Sequence, residues 1–99
     1  MKRGGCTYIL TNQYHTVFYI GVTSNLYVRI CEHKEKKDPK SFTARYNCDI
    51  LVWYESYSSI EEAITYEKYY KGKSRAFKIQ LIESHNDEWK DLSDLIEND

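Results

Sequence analysis

The chain has 99 residues, of which 41% are apolar and 29% charged, a composition that fits one globular domain and excludes a disordered, fibrous or multidomain chain. The formal net charge of -1 argues against a strong nonspecific nucleic-acid binder, but the charge is unevenly spread. Residues 1–82 carry thirteen bases and eight acids, a net of +5, whereas residues 83–99 carry seven acids and only Lys90 as a base, a net of -6. A mildly basic body is compatible with phosphate contacts. On charge alone, Lys34, Lys36, Lys37 and Lys40 read equally well as a solvated helix end and loop. No run of 18 apolar residues is present, so no transmembrane helix is predicted. Met1-Lys2-Arg3-Gly4-Gly5 is basic but leads into no long apolar stretch, so no signal peptide is expected. Cys6, Cys31 and Cys48 are odd in number and form no C-x-x-C pair, which fits a reducing, cytoplasmic setting better than a disulfide scaffold or zinc finger.

In chain order, Thr7–Thr11 and Val17–Val22 are short β-branched apolar runs separated by Asn12-Gln13-Tyr14-His15, a hairpin signature. Neither run alternates cleanly, which predicts cover on both faces of the sheet. If Thr11 pairs with Thr16, opposed residue numbers sum to 27 and Tyr8 lies opposite Tyr19, with both phenols on one face. A helix is predicted from Ser24-Asn25 to about Lys37, with Leu26, Ile30 and His33 on one face, Arg29 beside His33, and Asp38-Pro39 as its stop. Residues 41–49 read as a polar loop containing Phe42, Arg45 and Tyr46. A third strand follows at Ile50–Glu55.

Ser59-Ile60-Glu61-Glu62 is a capping box that opens a helix to Tyr70 or Lys71, with Gly72 at its C-terminal cap. The apolar stripe Ile60, Ala63, Ile64 continues to position 67, which is Glu67. A carboxylate on an inward stripe needs a partner or a metal. Pairing with Lys71 one turn later, or a hydrogen bond to a buried tyrosine, is the structural alternative to metal binding. Ser74 caps a further helix from Arg75 to about Ser84. Asn86-Asp87-Glu88 resembles another helix start, with Trp89, Leu92, Leu95 and Ile96 available to dock it. One domain is therefore expected over residues 1–99, with a core at about 6–89 and an acidic tail at 83–99. Its class is α+β, a three-stranded antiparallel sheet flanked by helices.

Tyr8, Tyr19-Ile20-Gly21, Arg29, His33 and Glu67, in that order, resemble the signature of the GIY-YIG nuclease superfamily, and in particular its small stand-alone members related to the N-terminal domain of the C component of excinuclease ABC. Cys6-Thr7-Tyr8 stands for the first motif, with Cys6 in place of its glycine, and Tyr19-Ile20-Gly21 is the second, intact. Arg29 follows Tyr19 by ten residues, and His33 comes one turn later. The segments Phe42–Asn47 and Asn86–Trp89 are typical of the small members. Tyr66 and Lys73 depart from the family pattern, the first where a basic residue often precedes the metal glutamate and the second where an aromatic often follows Gly72.

The resemblance implies a divalent-metal-dependent endonuclease that hydrolyses DNA phosphodiesters, with DNA repair or recombination as its setting and one Mg²⁺ or Mn²⁺ ion held by Glu67. Tyr8, Tyr19, Arg29, His33 and Glu67 are its implied catalytic residues, Ile20 and Gly21 its structural motif, and Arg45, Lys71 and Arg75 candidate nucleic-acid contacts. Physical chemistry fits these roles. A hard ion with one carboxylate keeps its waters and takes a substrate phosphate, and an arginine clamps phosphate bidentately. Tyr8 is the expected general base, its phenol acidified by the metal and Arg29. Tyr19 then orients water or phosphate, and His33 assists proton transfer or positions the phosphate. The five residues are expected on one concave surface, Glu67 on the same side of the sheet as Tyr8, and the tail from Glu83 away from that face. No added targeting domain is evident, so a protein partner for targeting is a further expectation. The alternatives are a non-catalytic nucleic-acid-binding module on the same fold and a structural protein-interaction domain.

Overall fold

A computed structural model describes residues 4–96. Three strands, β1 (Gly5–Thr11), β2 (Phe18–Thr23) and β3 (Ile50–Tyr57), form one antiparallel sheet in the order β2-β1-β3. Four helices, α1 (Leu26–Lys34), α2 (Phe42–Arg45), α3 (Ile60–Lys71) and α4 (Arg75–His85), flank it, and a 3₁₀ turn at Leu92–Leu95 closes the described chain. The architecture is the α+β class expected.

The central strand explains its own sequence. Every residue of β1 is buried, because helices cover both of its faces. Tyr8 and Leu10 point into a cluster with Leu26 and Ile30 of α1, together with Cys6, Cys48 and Leu51. Ile9 points the other way, into a cluster with Ile20, Val52, Trp53, Tyr70 and Ile82. The two buried threonines are satisfied: Thr7 Oγ1 donates to the Ala63 carbonyl at 2.7 Å, and Thr11 Oγ1 to the Val17 carbonyl at 2.8 Å. The first of these bonds fixes α3 against the face opposite Tyr8. Gly5 permits that approach, since a Cβ there would lie 2.6 Å from the Ala63 Cβ.

The hairpin differs from its expected register. Thr11 pairs with Phe18, so opposed numbers sum to 29 and Tyr8 lies opposite Gly21, with Tyr19 opposite Leu10. The loop is wider because Asn12 organises it: its Oδ1 accepts from the Thr16 and Val17 amides, and its Nδ2 donates to Thr16 Oγ1. The shift is two residues, so side-chain parity is kept and both phenols still share a face.

Helix ends differ in detail. Asn25 caps α1, but Lys36, in the left-handed region at φ 52°, turns the chain out before Asp38-Pro39. The expected loop at 41–49 contains α2, N-capped by Ser41, whose side chain accepts from the Ala44 amide. Ser59, Gly72 and Ser74 cap as expected. The Glu62 carboxylate accepts from Ser58 Oγ at 3.2 Å. No helix starts at Asp87: Asn86 instead ties the segment down, donating to the Val52 and Lys90 carbonyls and accepting from the Lys90 amide.

The acidic tail is also more integrated than its charge suggests. Asp91 pairs with Lys34 at 2.8 Å, and Leu92 and Ile96 pack against the cluster that holds Tyr8. Residues 91–96 thus join the Tyr8-side core, whereas Trp89 packs with the Ile9 cluster, which corrects the expectation of a tail held apart as a whole. Met1, Lys2, Arg3, Glu97, Asn98 and Asp99 lie outside the described residues.

Candidate active site

Four of the five expected residues meet on the α1 side of the sheet. Tyr8 and Tyr19 project from neighbouring strands with ring centroids 6.3 Å apart. Gly21 makes this possible: a Cβ there would collide with the Tyr8 phenol and lie 2.9 Å from the Tyr19 ring. The glycine of the second motif is therefore the floor on which Tyr8 rests. His33, one turn after Arg29 on α1, sits over both phenols, 5.8 Å from the Tyr8 ring and 5.7 Å from that of Tyr19.

A buried polar chain links these groups. Tyr8 Oη and His33 Nε2 are hydrogen-bonded at 2.9 Å, His33 Nδ1 and Thr43 Oγ1 at 3.0 Å, and Thr43 Oγ1 lies 3.3 Å from Ser41 Oγ. A neutral imidazole donates at one nitrogen and accepts at the other, so the chain can carry a proton in one direction at a time. Burial, and then the Arg29 charge, depress the His33 pKa to about 4, so the ring is neutral at physiological pH. Thr43 and Ser41 were missed as parts of the site. Their signal was present as a helix cap: Ser41 opens α2 and thereby fixes where Thr43 points.

The surroundings of Tyr8 disfavour a free phenolate. Burial raises its pKa above the ordinary phenol value, the neighbouring Tyr19 adds to this, and the Arg29 guanidinium beside the phenol offsets only part of it. In the protein without metal or substrate, Tyr8 is a protonated hydrogen-bonding phenol and not a preformed base. Tyr19 is only half-buried and stacks outward on Phe42 at 6.1 Å, which in turn meets Tyr46 at 4.7 Å. Arg29 is exposed, with its Nη1 3.1 Å from Glu32 Oε1.

Glu67 comes from a different layer of the fold. It belongs to α3, which packs on the sheet face opposite Tyr8, so the expectation of five residues on one side of the sheet is not met. It is ion-paired to Lys71 at 3.0 Å, its side chain 14% exposed and that of Lys71 52%. This pairing is the structural alternative raised by the sequence. The route between the two halves is the free edge of β2. A groove of about 340 Å³ lies along β2, lined by Phe18, Tyr19 and Ile20 together with Phe42, Lys71 and Lys78. The edge position of β2 lets Lys71 of α3 line the same groove as Tyr19.

Among the described residues no three His, Cys, Asp or Glu side chains cluster in a way that could hold a metal by themselves. The donor set fits only an ion that accepts a single hard carboxylate and completes its shell with water and substrate oxygen. Glu67 is that donor in kind, and Lys71 occupies it as a cation would.

Of the three candidate nucleic-acid contacts, Arg45 is exposed and lies over the Tyr46 ring at 5.8 Å, and Lys71 borders the groove. Arg75 is committed elsewhere. It donates to the His15 and Thr16 carbonyls at 2.6 and 3.1 Å and lies 4.3 Å over the Phe18 ring, which makes it a brace for the hairpin loop.

Two phenols, an arginine and a histidine thus gather around Gly21 of the edge strand β2. The model of the GIY-YIG catalytic domain matches residues 4–80, and the chain belongs to that family. The family points to a nuclease, acting on DNA and generally assisted by a divalent metal ion. No curated protein and no solved structure matches the chain. No helix among the described residues is long and apolar enough to cross a membrane.

Proposed function

We propose that this protein is a divalent-metal-dependent endonuclease that hydrolyses phosphodiester bonds in DNA, with Tyr8, Tyr19, Arg29 and His33 on the reacting face and Glu67 as the carboxylate that holds one Mg²⁺ or Mn²⁺ ion. The observation that carries this reading is the buried Tyr8–His33–Thr43 chain opening beside Arg29. A buried polar chain costs desolvation that an apolar core would avoid, and its presence beside the exposed Arg29 guanidinium supports a chemical role.

Arg29 clamps the scissile phosphate and offsets the charge that its oxygens gain. Tyr19, half-buried at the open end, orients water or phosphate. Tyr8 takes the proton of the attacking water as its own passes to Nε2 of His33, so that no isolated phenolate has to form in a buried site. Nδ1–H of His33 donates to Thr43 throughout and fixes the tautomer. The metal ion, when bound, supplies charge stabilisation and orientation of the phosphate. Lys71 releases Glu67 for that role by swinging into solvent, and it then joins Arg45 as a contact to the DNA backbone.

The Glu67–Lys71 pair favours a second reading, a nucleic-acid-binding module without turnover. One experiment separates the two. Single-stranded, duplex and branched DNA are incubated with the protein in EDTA, Mg²⁺ or Mn²⁺. The nuclease reading expects cleavage only with metal, abolished in Glu67→Gln. Binding to any of these DNAs with no cleavage in either metal would establish the second reading instead.

A further inference from the structure

Beside Arg29 and His33 the surface carries charged side chains that the catalytic scheme leaves unused. A cavity of about 410 Å³ is lined by Arg29, His33, Lys36, Lys37 and Thr43 together with the acids Glu32 and Asp38. At its centre Glu32 divides its carboxylate between two cations: Oε1 lies 3.1 Å from Arg29 Nη1, and Oε2 lies 3.3 Å from Lys37 Nζ. The backbone builds this arrangement. Lys36 takes a left-handed turn at φ 52°, and the chain folds back so that the Lys37 amide donates to the Glu32 carbonyl at 3.1 Å. The turn thus brings Lys37 over the helix end to the anion that Arg29 also holds.

We propose that this cavity is a second phosphate subsite for the nucleic-acid backbone, adjoining the scissile phosphate, and that Glu32 is its resident anion in the free protein. The inference rests on the nuclease reading for the identity of its ligand. A carboxylate that gives one oxygen to a guanidinium and the other to an ammonium has the donor geometry of a phosphodiester with its two non-bridging oxygens. Arg29 Nη1 and Lys37 are therefore already spaced to bridge one anion, while the remaining Arg29 donors serve the Tyr8 side and the scissile phosphate. Both side chains are open to solvent, 45% and 70% exposed, so a backbone phosphate reaches them without rearrangement of the core. When it does, Glu32 rotates out, and its negative charge beside the incoming phosphate sets a cost. Glu32 is thus a restraint on nonspecific binding and Lys37 an anchor.

The test is metal-free binding, read by fluorescence anisotropy of labelled single-stranded and duplex DNA in EDTA across a salt series. Glu32→Gln keeps the side-chain shape and removes the charge, and it should tighten binding about fivefold. Lys37→Ala should weaken binding to a similar degree and lower the slope of log K against log salt by about 0.7 to 0.9. In Glu32→Gln/Lys37→Ala the gain from the first change should shrink, because Lys37 is one of the two cations that it frees. Wild-type protein that binds neither DNA in EDTA, nor with Ca²⁺ added, overturns the nuclease reading and the subsite together. Wild-type binding with unchanged affinity and slope in both single variants, folded by circular dichroism, overturns the subsite alone and leaves Glu32 as a helix-end brace.

Discussion

Adjacent residues of β1 serve opposite faces of the sheet, and the two faces are built by different rules. On one side Ile9 enters a layer of Trp53, Tyr70 and Ile82, where the Trp53 and Tyr70 rings meet edge to face at 5.3 Å. That layer gains its stability from apolar area and aromatic geometry. On the other side Tyr8 enters a layer in which apolar Leu26 and Ile30 share space with the His33–Thr43 chain. Here part of the core is spent on polar groups that must all be satisfied. The difference teaches where a thin domain places its chemistry: on the face whose helices are short and whose edge strand is open, while the long helix pair α3–α4 seals the other. The acidic tail supports the polar face, through Leu92 and Ile96.

The comparison breaks most sharply if the two faces respond alike to truncation. Tyr8→Phe removes one hydroxyl and leaves His33 Nε2 without its partner. Metal-dependent cleavage should fall about 10²- to 10⁴-fold, with a stability loss of about 1–2 kcal/mol. Single-turnover kinetics and urea unfolding measure the two; full activity in Tyr8→Phe would reduce the phenol to a packing role. Trp53→Ala should do the reverse. It opens a void in the sealed layer and should cost about 3–5 kcal/mol, while turnover per folded molecule at low temperature stays near wild type. If Trp53→Ala abolished turnover in protein still folded, the layers would be coupled and the division of labour wrong.

Much of this division was legible in the sequence. The missing alternation of Thr7–Thr11 announced cover on both faces, and the caps Ser59 and Ser74 marked the helices of the sealed layer. The order of Tyr8, Tyr19, Gly21, Arg29 and His33 named the open face, because strand parity survives a two-residue error in register. What sequence could not supply was the direction of α3. A helical stripe containing Glu67 says that the carboxylate turns inward, but not towards which face of a sheet covered on both sides. Nor could spacing reveal the charge state of Tyr8, which depends on how deeply the ring is buried over Gly21. Arg75 misled for a similar reason: a free-looking base at a helix start reads as a phosphate contact until the hairpin carbonyls are in place beside it.

The pH response should sharpen the contrast with a smaller effect. His33 titrates at about 4 in the folded protein, below its ordinary value of about 6.5, because burial disfavours the imidazolium. The unfolded chain therefore binds the proton first as pH falls. The stability that neutral His33 contributes is complete above about pH 6.5 and is lost progressively down to about pH 4, on the order of 3 kcal/mol in all. Urea midpoints at pH 7 and pH 4.5 measure the loss, and His33→Asn should flatten it. An equally steep loss in His33→Asn would assign the acid lability to carboxylates and relieve the open face of that burden.

The smallest expected effect concerns Arg75, which belongs to the sealed side yet touches the hairpin that leads into β2. Its two hydrogen bonds run to carbonyls of the loop, and its guanidinium rests on Phe18 of the same strand. Both partners are the substrate-independent parts of the strand that carries Tyr19, so Arg75 acts on the site only by holding the loop. The bonds are charge-assisted but exposed, so Arg75→Ala should cost about 1 kcal/mol. Amide exchange should quicken at Thr16 and Val17, whose N–H groups Asn12 holds within the same loop. The salt slope of DNA binding should not change, because the guanidinium is already satisfied by protein carbonyls and releases no counterion on binding. A slope lowered by about one with loop exchange unaltered would return Arg75 to the DNA-contacting surface, and the hairpin would then need another brace.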